Sequence, residues 1–108
     1  MKKHTLRIKK EYFNLINKGI KTLEVRVGYS QIKRIQAGDL ITFENYGRNL
    51  FNVVRVTVYP DFEEMLDTEN SKLVIPNKTK YQAYDMLHSI YPEDRERLGV
   101  YVIELKKV

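Results

Sequence analysis

A change of period at Gly19 constrains this chain more than any other feature of its sequence. Residues 10–18 carry Tyr12, Phe13 and Ile16 at helical spacing, and Gly19 stands where a helix C-terminus favours a residue free to take positive φ. From Thr22 the pattern becomes strict alternation. Leu23, Val25 and Val27 fall on one face of an extended strand, and Thr22, Glu24 and Arg26 fall on the other. Helix, glycine and strand thus meet within a few residues, with Lys21 at the strand entrance. An ammonium, a carboxylate and a guanidinium are brought close together, and this is the segment expected to touch a ligand.

The rest of the chain reads as short elements separated by turn residues. His4 to Ile8 alternates and predicts a first strand. Ser30 to Ile35 predicts one helical turn with Ser30 as its N-cap, followed by an Ala37-Gly38-Asp39 turn. Leu40 to Glu44 and Leu50 to Tyr59 predict strands three and four, spaced as an antiparallel hairpin, with Val54, Val56 and Val58 as the apolar face of the longer one. Asp61 and Glu64 have the spacing of a capping box over a short helix. Residues 67–76 read as irregular, and Lys78 to Tyr91 as the longest helix, with Tyr84, Leu87 and Tyr91 on one stripe. Val100 to Lys106 closes the chain as a last strand. Leu23, Val25, Val54, Val56 and Ile103 are expected in one core. Five strands among short helices, with little uninterrupted βαβ alternation, predict a small barrel or strongly curled sheet.

At 108 residues the chain has room for one domain, and 43% hydrophobic residues suffice for its core. The sequence has no cysteine, which removes disulfides, zinc–thiolate sites and thiol nucleophiles. His4 and His88 show no metal-ligand spacing, and Ser30, Ser71 and Ser89 lack a nucleophile-elbow setting, so neither a metal nor another cofactor is expected. No apolar run is long enough to span a membrane, and no secretory core follows the basic N-terminus. A cytoplasmic monomer is the expectation. The net charge of +5 is unevenly distributed: residues 1–35 hold ten Lys and Arg against two acids, and the remainder holds nine against twelve. Gathered on one face, that excess would attract polyanions.

Three segments in order, Gly19-Ile20-Lys21-Thr22-Leu23-Glu24-Val25-Arg26, Gly38-Asp39-Leu40-Ile41-Thr42-Phe43 and Tyr101-Val102-Ile103-Glu104-Leu105, resemble the ASCH domain family, with its G-x-K-x-x-E-x-R signature and a strand opened by Gly-Asp. The resemblance implies an α+β fold: a PUA-like β-barrel of five to six mostly antiparallel strands, short helices over the barrel ends, and a cleft beside the signature strand. It also implies RNA or a nucleotide as partner. Some small members are amidohydrolases acting on N4-acetylcytidine. This chain is similar to them at Gly19, Lys21, Thr22 and Arg26, but has Glu24 where they carry their proposed threonine nucleophile. It has no carboxylate in Leu73-Val74-Ile75-Pro76-Asn77, where they carry a glutamate; Glu69 is the nearest upstream.

Two classes of function follow. In a binding module, Lys21, Glu24, Arg26 and Tyr29 line the cleft while Lys33 and Arg34 form a phosphate-contacting rim; Tyr46 and Tyr91 are further stacking candidates. In an enzyme, Lys21 and Glu24 form a base and acid pair acting on a modified nucleoside or RNA. The bland alternative for Glu24 and Arg26, neighbours at i and i+2 on one strand face, is a structural ion pair.

Overall fold

A computed structural model describes residues 1–108 apart from the side chain of Glu93. Five strands form one mixed sheet: β1 (Lys3–Leu6), β2 (Leu23–Val27), β3 (Leu40–Phe43), β4 (Phe51–Tyr59) and β5 (Val100–Lys107), in the order β1-β3-β4-β5-β2. All pairings are antiparallel except that of β1 with β3. The helices are α1 (Lys10–Asn17), α2 (Ser30–Lys33), α3 (Phe62–Thr68), α4 (Ser71–Val74) and α5 (Lys80–Ile90), with a 3₁₀ segment at Glu93–Leu98. None is long and apolar enough to cross a membrane.

The expected barrel does not close. β1 and β2 are both edges of the sheet, and closure would require a ladder between them. β1 has only four residues, and the space between the edges is bridged by a side chain: Arg26 Nη2 donates to the Arg7 carbonyl oxygen at 2.5 Å. β2 therefore keeps one free edge.

Two apolar clusters sandwich the sheet. Leu23, Val25, Val27, Val100 and Val102 pack under α3, α4 and α5, whereas Leu6, Ile41, Phe43, Phe51, Val53, Ile103 and Leu105 pack against α1 and α2. β5 lies between β4 and β2 and serves both sides, which is why Leu23 and Ile103, expected together, are in different clusters. The expected face of β4 is also corrected. A register shift between Val53 and Arg55 turns Phe51 and Val53 inward, leaves Val54 and Val58 exposed and Val56 half-buried.

Local chemistry sets the junctions. α1 ends in a Schellman motif: Ile20 N–H donates to the Leu15 carbonyl and Gly19 N–H to the Ile16 carbonyl, with Gly19 at φ +77°. Asp61 caps α3 by accepting from Glu64 N–H at 2.8 Å, but the reciprocal capping box forms at Thr79 and Gln82 and starts α5 later than the expected Lys78. Within the stretch read as irregular, α3 runs on to Thr68 and Asn70 caps the short α4. The buried side of α5 is Ala83 and Leu87, and Tyr84 is exposed.

Candidate functional site

The Schellman turn delivers Lys21 directly to the entrance of β2, where its ammonium is buried with all its protons directed at acceptors. Nζ donates to Leu23 O at 2.5 Å and to Val74 O at 2.6 Å, and lies 3.2 Å from Glu24 Oε1. An ammonium has three donors, so this set is complete. On the strand, Glu24 and Arg26 project to the same side, and Glu24 Oε2 accepts from Arg26 Nε at 2.8 Å and forms an ion pair with Nη2 at 2.7 Å. One carboxylate thus lies between two cations, leaving one net positive charge in a largely dry setting.

Burial and charge act in opposition here. Burial pushes the Lys21 ammonium below the usual lysine range despite the pull of Glu24. Burial alone would push the Glu24 carboxyl up, but Lys21 and Arg26 together hold it below the usual carboxylate range. The carboxylate between two cations is what offsets the cost of burying all three groups.

Beside the triad lies a cavity of about 440 Å³, within the range of small-ligand sites. Lys21, Glu24, Val25 and Arg26 line one wall, Arg7, Ile8, Lys9 and Tyr12 another, and Val74, Ile75, Met86, Leu87, Ile90 and Tyr91 the third. The Tyr12 hydroxyl donates to Met86 Sδ at 3.2 Å and ties α1 to α5. Burial raises the Tyr91 phenol against the effect of Arg26 and the Val27 backbone. Arg7 and Lys9 are exposed and add positive charge to the first wall.

Comparison with known proteins supplies the family and the fold. The family model described as the ASCH domain matches residues 6–108. The chain belongs to the ASCH domain family. This ASCH domain is similar over its whole length to hypothetical protein PH0355, whose crystal structure is 33% identical in sequence with a TM-score of 0.91 and is itself fully covered. It is also similar to protein PF0455 from Pyrococcus furiosus, known from a solution NMR structure: 29% identity, TM-score 0.82, covering 98% of this chain and 97% of that one. Curated proteins provide no match. The fold is the PUA-like α+β arrangement, with an open sheet in place of a barrel.

Of the residues singled out in the sequence, Lys21, Glu24 and Arg26 come together on the cavity wall of this ASCH domain, and Tyr29, Lys33 and Arg34 are outside the lining. Tyr29 is exposed at the N-cap of α2, near enough to Tyr91 to influence its ionisation. Lys33 and Arg34 are on the exposed side of α2, whose Ile32 and Ile35 anchor it in the second cluster. Tyr46 stacks on Phe13 with ring centroids 3.9 Å apart, as part of the core. Thr22 is half-buried and outside the lining. Glu69 is engaged elsewhere, accepting from Arg55 at 2.8 and 3.0 Å and from the Tyr59 hydroxyl at 2.5 Å. Arg7, Lys9, Tyr12, Met86 and Ile90 are lining residues that sequence reasoning did not single out. Arg7 and Lys9 were visible only as members of the basic segment, and nothing in the sequence indicated that α5 would pack across from α1.

Proposed function

We propose that this ASCH domain binds a nucleotide, free or as one unit of single-stranded RNA, with the base in the cavity beside β2 and phosphate toward Arg7 and Lys9. The observation that carries this reading is the cavity wall itself: a triad with one excess positive charge, whose Arg26 Nη1 has no hydrogen-bond partner among the described residues. A guanidinium with open donors is suited to phosphate or a base carbonyl. Apolar side chains on the opposite wall supply contact for a ring face.

Calorimetric titration with the four ribonucleoside 5′-monophosphates, and with the matching nucleosides, tests this. At least one nucleotide is expected to bind more tightly than its nucleoside, with affinity falling as salt rises because phosphate contacts release counterions. Absence of binding at millimolar ligand, or equal affinity for nucleotide and nucleoside with no salt dependence, would contradict it.

A hydrolytic reading draws on one observation, the 3.2 Å approach of Lys21 to Glu24 in a dry setting. Three features weigh against it. Lys21 has every donor committed, Glu24 stands where the amidohydrolase members carry their proposed threonine nucleophile, and the only hydroxyls in the lining among the described residues are those of Tyr12 and Tyr91. Incubation with N4-acetylcytidine is expected to release little or no acetyl. Turnover of about 1 s⁻¹ or faster would reverse the ranking, and Lys21→Ala should then abolish it.

A further inference from the structure

We infer that the cavity reads the hydrogen-bonding edge of a single nucleobase through the backbone N–H and C=O of Val25, an inference that rests on the nucleotide reading above. Leu105 N–H donates to Thr22 O at 2.8 Å, and Gly28 N–H to Gly99 O at 2.9 Å. In an antiparallel pair the hydrogen-bonded residues alternate. With Leu23 opposite Glu104 and Val25 opposite Val102, the ladder consumes Thr22, Glu24, Arg26 and Gly28. The backbone groups of Leu23, Val25 and Val27 therefore point to the free edge of β2.

An open edge three residues long would be a template for another strand. Here both ends are closed from within the chain. Lys21 Nζ occupies the Leu23 carbonyl while also holding Val74 O, which brings α4 against the edge. Tyr29 N–H occupies the Val27 carbonyl at 2.8 Å. Between them, the donor and acceptor of Val25 have no partner among the described residues, and Val25 lines the cavity. Unpaired backbone groups at a cavity wall call for a partner.

What fits is a planar group with one donor beside one acceptor. Uracil and guanine present a ring N–H beside a carbonyl, and cytosine and adenine a ring nitrogen beside an amino group. An extended peptide would also need the carbonyls of Leu23 and Val27, which are already engaged. Arg26 Nη1 on the same wall and the ring-sized apolar side chains opposite complete a pocket for one base.

The test is an NMR titration of the ¹⁵N-labelled full chain with AMP, CMP, GMP and UMP. It is followed by the counterpart of the tightest binder methylated on its ring nitrogen, such as 3-methyluridine monophosphate for UMP. Expected is hydrogen-exchange protection gained at the Val25 amide, none at the Glu24 and Arg26 amides already in the ladder, and about tenfold or greater weakening by methylation, since a blocked pair leaves both backbone groups unmatched. A nucleotide that binds while the Val25 amide stays unprotected and methylation has no effect would overturn this inference and leave nucleotide binding standing. Failure of all four to bind would overturn both.

Discussion

Lys21 shows how a residue readable as a catalytic base can be the keystone of a fold. Its ammonium joins β2, α4 and Glu24 at once. Lys21→Met should leave two carbonyls and part of a buried carboxylate unmatched, at a cost of about 3–5 kcal/mol, read from urea unfolding at pH 7. An effect under 1 kcal/mol would mean that the ammonium is not structural. Acid has a defined sign. Glu24 is held below its unfolded value, so its contribution is present above about pH 4.3 and is lost as pH falls through the lowered value. Asp39, pulled down to about 2 by hydrogen bonds from His4, Lys2 N–H and Gln36 N–H, acts in the same direction. Stability should therefore decline as pH falls from about 4 toward 2, and Glu24→Gln should flatten that decline while lowering stability at neutrality. A pH profile unchanged by the substitution would contradict the triad. The i, i+2 adjacency of Glu24 and Arg26 was legible from strand period alone. That Lys21 would turn inward was not, because its partners Leu23 O and Val74 O are backbone atoms, one of them 53 residues away.

At the scale of elements, β4 separates pattern from register. Its valines alternate as an inward face should, but the irregularity between Val53 and Arg55 moves the buried set to Phe51 and Val53. A bulge is invisible to a period count, since a single inserted residue reverses every later side chain. Phe51→Ala should cost about 3–5 kcal/mol, whereas Val54→Ala should change stability by less than about 0.5 kcal/mol; thermal unfolding of both checks the register. Glycine also has an element-level role at the end of β2. A Cβ on Gly28 would meet Leu98 O at 2.4 Å and a Tyr101 ring carbon at 2.6 Å, whereas one on Gly47 would meet nothing within 4 Å. Gly28→Ala is expected to destabilise by about 1–3 kcal/mol, with Gly47→Ala as the near-neutral control. Equal effects would show that the β2–β5 approach is looser than described.

For the whole molecule, the order of most elements was legible because glycine turns and strand alternation are local signals, and the family and its α+β class because three of its motifs stand in order. Closure of the sheet and the far wall of the cavity were not, because they depend on how α1 and α5 pack around the free edge of β2. Charge followed the same division. The basic excess was countable, but Arg7 and Lys9 line the cavity whereas Lys33 and Arg34 do not. The central claim is that this cavity is where a nucleotide binds. Ile90 lines it and is half exposed, so Ile90→Trp should fill the opening without disturbing either core cluster. The most direct measurement is fluorescence anisotropy of a short labelled single-stranded RNA titrated with wild-type protein and with I90W, at low and physiological salt. Salt-sensitive binding by the wild type is expected, weakened about tenfold or more by I90W at an unchanged melting temperature. Equal binding by the two proteins, or none by either, would contradict nucleotide binding in this cavity.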